Sequence, residues 1–196
     1  RPSVVEMNRK NQFDVDLYPK FGALGVLGQT VKSHGGSGTS NLAYGLVAYE
    51  FEKVDSSYRS SISVQSALVI HPIDKFGSED QKNKFLPELI SGEKIGCFGL
   101  TESEAGSDPS SMKTTYKKTK DGYILNGSKN WITNAPIADI FIIWAIEENK
   151  DHKSIQGFIL EKNFKGLKTS TIENKTSLKI SPTGQIVLNN VLAPKD

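Results

Sequence analysis

The sequence predicts an α+β fold, with an all-α N-terminal domain over residues 1–95 and an antiparallel, β-barrel-like domain over residues 96–196. Three observations lead to this prediction. Apolar residues recur at helical spacing in the first half of the chain. The second half contains short runs rich in β-branched and aromatic residues, and turn dipeptides separate these runs. Helices and strands that occupy different parts of a chain are typical of the α+β class.

The first well-marked helix follows a loop. The glycine- and serine-rich stretch at residues 34–40 predicts that loop, and Ser40 or Asn41 is a suitable N-cap. Apolar residues then recur every three or four positions, which predicts a helix with one apolar face. The residues of this face are Leu42, Leu46, Val47, Phe51 and Val54.

Two further helices are predicted before residue 95. Residues 62–70 fit either a strand or a helix, and their helical neighbours favour a helix. Ser78 and Gln81 have the spacing of a capping box, which predicts that a helix begins there. We expect Pro87 to break or restart this helix and Gly92 to end it.

The predicted strands are separated by turn signals. The dipeptides Asp121-Gly122 and Asn126-Gly127 each predict a hairpin turn. The apolar run at residues 140–146 is typical of a buried strand. Two more strands are predicted at residues 155–160 and 185–188, with Gly166 and Gly184 between runs.

Composition excludes several classes of protein. The chain has 196 residues, of which 37% are hydrophobic and 23% charged, and these fractions argue against disorder. No apolar run approaches the roughly 18 residues that a membrane-spanning helix needs. The net charge of +2 gives no reason to expect a nucleic-acid partner or a charged membrane surface.

Cysteine, histidine and arginine are all rare. The one cysteine, Cys97, excludes a disulfide framework and a cysteine zinc cluster. The three histidines are too scattered to indicate a metal site, so we predict none. Only three of the 24 basic residues are arginine, so lysine is the preferred basic residue in this chain. An arginine in such a chain indicates a position that needs the planar, two-pronged hydrogen bonding of the guanidinium group. This reasoning draws attention to Arg59.

Two segments have the composition of a ligand site. Residues 97–108 run from a strand into a loop of small residues, where backbone N–H groups can approach a ligand closely, and Thr101 and Ser107 add hydroxyl groups. Trp131 can stack beside a planar cofactor, and Thr133 can bond to its edge. Taken separately, an ordinary loop and a core tryptophan are the simpler interpretations.

Taken together, these segments resemble the acyl-CoA dehydrogenase family of flavoenzymes. The matching stretches are GCFGLTESEAGSD (96–108), YILNGSKNWITN (123–134) and SLKISPTG (177–184). Within the family, the chain is most similar to the glutaryl-CoA dehydrogenases. The stretches that carry this likeness are LGVLG (24–28), VDSSYRSSISVQSALVIHPI (54–73) and GSDPSSM (106–112).

The resemblance implies FAD as the cofactor and assigns residues to it. The flavin would lie against Phe98, Gly99, Leu100, Thr101, Gly106, Ser107, Trp131, Ile132 and Thr133. Thr101 would donate to the pyrimidine side of the ring, and Thr133 would bond near N5. Arg59 and Ser60 would face the distal carboxylate of a glutaryl chain, and Ser107 would meet the thioester end of the substrate.

The resemblance also implies a reaction and its partners. Glutaryl-CoA would be oxidatively decarboxylated to crotonyl-CoA and CO2, as in lysine and tryptophan catabolism, and the electrons would pass to an electron-transfer flavoprotein. The parent protein would be a homotetramer, in the mitochondrial matrix of a eukaryote or the cytoplasm of a bacterium. The family's C-terminal four-helix bundle, which carries the catalytic glutamate, is absent here. We therefore expect a trimmed chain that has no catalytic base and is inactive alone.

Two departures from the family pattern and three alternatives accompany this interpretation. Ser103 stands where the family usually has proline, and Lys179 stands where arginine is usual; Glu102 and Glu104 are interpreted as structural. The first alternative is a dehydrogenase for another short-chain acyl-CoA. The second is a truncated, non-catalytic binding module, and the third is a two-domain scaffold without a ligand.

Overall fold

The computed structural model describes residues 3–195, so Arg1, Pro2 and Asp196 lie outside it. Helices occupy the first part of the chain and strands the second, as predicted. The helices are α1 (Val4–Lys10), α2 (Leu17–Ala23), α3 (Asn41–Glu52), α4 (Ser56–Ser63), α5 (His71–Phe76) and α6 (Glu79–Ser91). A π-helical segment (Val64–Ile70) joins α4 to α5, which makes residues 56–76 one continuous helix.

The helix boundaries follow the cap signals with one exception. Ser40 is the N-cap of α3, and Ser78 and Gln81 form both hydrogen bonds of the predicted capping box. Gly92 ends α6 with a left-handed φ of 78°. The prediction that Pro87 breaks the helix is wrong, because α6 continues through it to Ser91. The buried side chains on both sides of Pro87 hold the helix against the core despite the lost hydrogen bond.

The strands form a seven-stranded sheet. They are β1 (Gly96–Gly99), β2 (Thr115–Lys118), β3 (Tyr123–Thr133), β4 (Ile140–Glu147), β5 (Gln156–Glu161), β6 (Leu167–Thr171) and β7 (Thr183–Ala193). Their order is β1-β4-β2-β3-β7-β6, and β5 pairs with β4. The sheet is mixed and is not a closed barrel. Four pairings are antiparallel, but β4 is parallel to both β1 and β2, which local turn signals did not predict.

Two of the predicted turns have different outcomes. Asp121-Gly122 separates β2 from β3, as predicted. Asn126-Gly127 instead lies inside β3, where the pairing with β7 shifts register between Leu125 and Gly127. A Cβ at Gly127 would lie 2.6 Å from the Cα of Thr114, so this glycine permits close approach of two backbones rather than a turn. Gly184 likewise lies inside β7.

The core has two parts that share β4. Ile140 and Ile142 pack against the helices, while Phe141 and Ile143 face the core of the β domain. This alternation follows from the two-residue period of a strand. In contrast, α3 buries none of its residues fully. The first half of its predicted apolar face is open, with Leu42 74% and Leu46 60% exposed, while Phe51 near its end packs against the helical core.

A buried glutamine joins the helices to the sheet. Gln65, on the π-helical segment, donates from Nε2 to the carbonyl oxygens of Leu89 and Lys94, each at 2.8 Å. Its Oε1 accepts the backbone N–H of Gly96 at 2.8 Å. Gly96 also contacts the helix closely, since a Cβ there would lie 2.5 Å from Cγ1 of Val69. These contacts fix the position of β1 relative to the long helix.

Candidate functional site

The loop after β1 presents small and polar residues. Phe98 packs partly against the helical core and meets Trp144 edge-on, with ring centroids 6.0 Å apart. Downstream, Glu102 and Ala105 exchange two backbone hydrogen bonds of 3.2 Å, which folds the loop into a tight turn. Gly106 and Ser107 follow this turn and are exposed. This part of the loop is therefore open to solvent, and its contact with a ligand stays a prediction.

A β-bulge in β3 turns Trp131 outward. The pairing of β3 with β7 shifts register between Lys129 and Ile132, and Trp131 lies within the bulge at a φ of 61°. A left-handed backbone is an outlier for a bulky residue and is typically kept where function requires it. The indole is 60% exposed, so the simpler interpretation as a core tryptophan is wrong. Trp131 offers a flat apolar surface to a ligand.

Hydrogen bonds hold the loop beside the bulge. The backbone N–H of Asn130 donates to the carbonyl oxygen of Thr101 at 2.9 Å. The ammonium of Lys129 donates to the carbonyl oxygen of Leu100 at 3.0 Å and to Oε1 of Glu102 at 2.8 Å. The segments that carry Thr101 and Trp131 are thus direct neighbours, although about 30 residues separate them in sequence.

Three other residues predicted to contact the cofactor differ in how far they are buried. Ile132 is buried in the β core, with 3% of its surface exposed, so only its main chain is available to a ligand. Gly99 is also buried, and a Cβ there would lie 2.6 Å from Cδ1 of Ile143. Thr133 is half-buried and pairs with Thr183 of β7.

The third family-like stretch, residues 177–184, lies beside the end of β3. The backbone N–H of Asn134 donates to the carbonyl oxygen of Pro182 at 2.7 Å, and its Nδ2 donates to that of Gly96 at 3.1 Å. The ammonium of Lys175 holds the stretch in shape by donating to Leu178 O at 2.7 Å. Asn134 therefore connects the ends of three segments that the sequence places far apart.

One buried ion pair dominates the electrostatics of this region. Burial lowers the pKa of Lys129, although Glu102 opposes the change. Burial alone would raise the pKa of Glu102, but hydrogen bonds from Lys129 and from residues 113 and 114 outweigh it and lower the pKa. Glu102 is therefore an ionised, fully engaged carboxylate at neutral pH. Burial raises the pKa of the nearby Cys97 thiol, which leaves it neutral.

Arg59 lies on α4 and pairs with α3. Its Nε donates to Oε2 of Glu52 at 2.8 Å, and the two side chains are 37% and 43% exposed. Glu52 also accepts from Ser56, and both bonds lower the pKa of Glu52. Ser60 is half-buried on the same helix. Within residues 3–195, neither Arg59 nor Ser60 has a hydrogen bond to the loop or the bulge, so the site is not assembled around them by direct contact.

Sequence reasoning missed Lys129 and the π-helical segment. Lys129 is four residues after the buried Leu125 in the same strand, so the two side chains lie on the same face of the sheet. The two-residue period of a strand therefore indicated that this lysine faces inward. A π-helical segment has no comparable signal in composition, and such segments occur frequently at functional sites.

Two kinds of feature are not found in the part of the chain that the structure describes. Residues 3–195 contain no group of three or more His, Cys, Asp or Glu side chains arranged to hold a metal ion. No helix in this range has the length and apolarity to cross a membrane.

Comparisons with known proteins identify the family of the chain. The model of the acyl-CoA dehydrogenase N-terminal domain matches residues 1–93, and that of the middle domain matches residues 97–191. The short-chain specific acyl-CoA dehydrogenase of Clostridium acetobutylicum is 35% identical over 196 residues, which cover 99% of this chain and 52% of that protein.

Solved structures give the same result. A glutaryl-CoA dehydrogenase from Mycobacterium smegmatis in complex with FADH2 has a TM-score of 0.94 and 40% identity over 98% of this chain and 49% of its own. A structure described as the electron transferring flavoprotein of Acidaminococcus fermentans has a TM-score of 0.92 and 36% identity over 99% of this chain and 52% of its own. The chain thus spans about half the length of these relatives. It belongs to the acyl-CoA dehydrogenase family, of which it contains the N-terminal and middle domains.

Proposed function

We propose that this chain forms the flavin-ring and thioester side of an FAD-dependent acyl-CoA dehydrogenase. The observation that carries the proposal is the exposed indole of Trp131 on a strained bulge, hydrogen-bonded through its neighbour to the Thr101 segment. The residues fit a flavin: Trp131 gives a flat surface, Thr101 and Thr133 are incompletely buried, and space is open beside Gly106, where a Cβ would meet no atom within 4 Å.

In this function, FAD supplies the acceptor for the hydride that leaves the substrate. The residues of this chain bind and orient. Trp131 would exclude water from one side of the ring, and the hydroxyl of Thr133 would donate to the ring edge. Thr101 would donate to the pyrimidine side, and Ser107 would meet the thioester end of the acyl-CoA. The resemblance to the family supports each of these assignments.

The proposed substrate is glutaryl-CoA, which would lose its distal carboxylate as CO2 to give crotonyl-CoA. Support comes from Arg59 and Ser60, which match the residues of the glutaryl branch, and from the 40% identity to the Mycobacterium smegmatis glutaryl-CoA dehydrogenase. The second candidate is another short-chain acyl-CoA, which the 35% identity to the short-chain specific enzyme of Clostridium acetobutylicum supports. A substrate panel on the complete protein that contains this chain separates the two.

An electron-transfer flavoprotein is the proposed electron acceptor. The likeness to the structure described as the electron transferring flavoprotein of Acidaminococcus fermentans supports this proposal. Assembly as a homotetramer, in the mitochondrial matrix or the bacterial cytoplasm, is proposed from the family resemblance. Size-exclusion chromatography with light scattering tests the assembly, and reduction of a purified electron-transfer flavoprotein tests the partner.

The cofactor assignment predicts the effect of Thr133→Val in the complete protein. Valine keeps the shape of threonine but removes the hydroxyl, so we expect FAD to bind about tenfold more weakly or to be reduced more slowly. Flavin fluorescence titration and stopped-flow reduction measure the two effects. Thr169→Val, an exposed change on β6, is the matched control. Unchanged FAD affinity and reduction rate would exclude Thr133 from the flavin site.

The assignment of the base predicts the behaviour of the 196-residue chain alone. No residue in it matches the family's catalytic glutamate, and Glu102 is fully engaged with Lys129, so we expect no turnover of glutaryl-CoA even with added FAD. We also expect weak FAD binding or none. A dye-reduction assay with the complete protein as positive control checks this. If the 196-residue chain does turn over glutaryl-CoA, and Glu104→Gln abolishes that activity, the catalytic base is Glu104 in the loop after β1.

A further inference from the structure

Lys129 is a fully buried lysine at the centre of the candidate site. Its side chain is 0% exposed, yet it lies two residues before the exposed Trp131 on the same strand. Its ammonium reaches Leu100 O at 3.0 Å and Glu102 Oε1 at 2.8 Å, on either side of Thr101. One side chain of β3 therefore holds the loop both before and after a residue proposed to contact the flavin.

Glu102 extends this connection to the segment that leads into β2. Its Oε2 accepts the backbone N–H of Lys113 at 2.6 Å, and its Oε1 accepts that of Thr114 at 3.0 Å. The carboxylate is 8% exposed, so it is shielded from water. Charge-assisted bonds of this kind are short and directional, and they define the geometry of the groups they join.

The surrounding backbone is shaped to admit the lysine. Gly99 lies beside its stem, and a Cβ at Gly99 would stand 3.3 Å from Cγ of Lys129 and 2.6 Å from Cδ1 of Ile143. A larger residue at position 99 would first collide with Ile143 and would also crowd the lysine stem. The glycine at the end of β1 thus leaves room for the lysine stem.

Stability alone gives a weak reason for such a pair. A buried ion pair is often no more stabilising than apolar residues of the same volume, because desolvation offsets the attraction. A buried pair is better explained by a role in specifying one arrangement of the segments that it joins. Here the pair joins the two segments that carry Thr101 and Trp131.

We infer that the Lys129–Glu102 pair is a positioning element that sets Thr101 relative to Trp131 and thereby defines the environment of the flavin ring; this inference rests on the proposed function. Neither side chain is a catalytic residue in this scheme. The pair acts through the backbone of the loop and through the bulge.

The test compares four variants of the complete protein. Lys129→Met and Glu102→Gln each break the pair and leave a buried polar group without its partner. The double variant Lys129→Met with Glu102→Gln removes both charges. The amide oxygen can still accept the Thr114 N–H, but the amide NH2 then faces the Lys113 N–H, which loses its acceptor. Lys117→Met, which removes an exposed ammonium from β2, is the matched control.

Three measurements are made on each variant. Thermal unfolding reports stability. The visible absorption and circular dichroism of bound FAD, with its affinity and reduction potential, report the flavin environment. Hydrogen exchange at the Asn130 amide, which donates to Thr101 O, reports the contact between the two segments in the absence of flavin.

We expect both single variants to unfold several degrees lower than the unsubstituted protein. The double variant should regain part of that loss, because it no longer buries an unpaired charge, although the Lys113 N–H has lost its acceptor. It should bind FAD at least about tenfold more weakly, with an altered flavin spectrum and faster Asn130 exchange. A double variant with the original spectrum, potential and exchange rate would overturn the inference and leave a purely structural role. Failure of the unsubstituted protein to bind FAD would overturn the proposed function, and Asn130 exchange would then decide the positioning role alone.

Discussion

Arg59→Gln in the complete protein is expected to lower kcat/KM for glutaryl-CoA by roughly two to three powers of ten, and to affect butyryl-CoA much less. Leaving a buried carboxylate without its charged partner costs about 3–5 kcal/mol. At about 1.4 kcal/mol per power of ten, this cost accounts for the expected loss. Butyryl-CoA has no distal carboxylate, so the loss of the Arg59 guanidinium leaves no substrate charge unpaired. Steady-state kinetics with both substrates measure the difference.

The structure supplies a matched control for this prediction. Arg59 already pairs through Nε with Glu52, and this bond leaves the two terminal nitrogens of its guanidinium for a ligand. Glu52→Gln removes the same ion pair but keeps the arginine. If Arg59 only braces α4 against α3, the two variants will behave alike with both substrates. If Arg59 binds the substrate carboxylate, only Arg59→Gln will discriminate between them.

Arg59→Lys tests the geometry of the interaction. Lysine keeps the charge but lacks the planar fork that binds a carboxylate at two points, so we expect only part of the glutaryl-CoA activity to return. Parallel losses on glutaryl-CoA and butyryl-CoA in all Arg59 variants would refute the glutaryl assignment. The membership of the chain in the flavoenzyme family would not be affected by that outcome.

Gln65→Met is expected to lower the free energy of unfolding by roughly 3–5 kcal/mol, the largest effect on stability that we predict for a single polar side chain. Methionine has a similar length and helix propensity, so the change acts mainly through hydrogen bonds. It would leave the N–H of Gly96 and the carbonyl oxygens of Leu89 and Lys94 without the side chain that bonds to them. Each unsatisfied buried group costs about 1–3 kcal/mol.

Denaturant unfolding of the two proteins measures this effect. Gln185→Met, on an exposed position of β7, is the control and should change stability little. Because Gln65 joins the long helix to β1, hydrogen exchange should accelerate at Gly96 first. A loss no larger than that of the control would show that the three backbone groups find other partners, and that Gln65 does not hold the helices to the sheet.

Local signals in the sequence located several boundaries correctly, among them the start of α3 and both ends of α6. The capping box at Ser78 and the left-handed Gly92 were predicted because a cap is formed by neighbouring residues. The misplaced turn at Asn126-Gly127 has the opposite cause. Gly127 is needed because the backbone of Thr114, from another segment, approaches it closely. A glycine can serve either a turn or such a close approach, and the sequence does not distinguish the two uses.

The sequence by itself determined the α+β order of the chain and its family, while the roles of the individual site residues stay a prediction. Those properties depend on residue type and short spacing, which the chain displays directly. Only the tertiary structure decided that Trp131 faces outward on a bulge, that β4 is parallel to two neighbours, and that Lys129 is buried against Glu102. Each of these depends on pairing between distant segments, and the burial and partner of a side chain exist only after that pairing has formed.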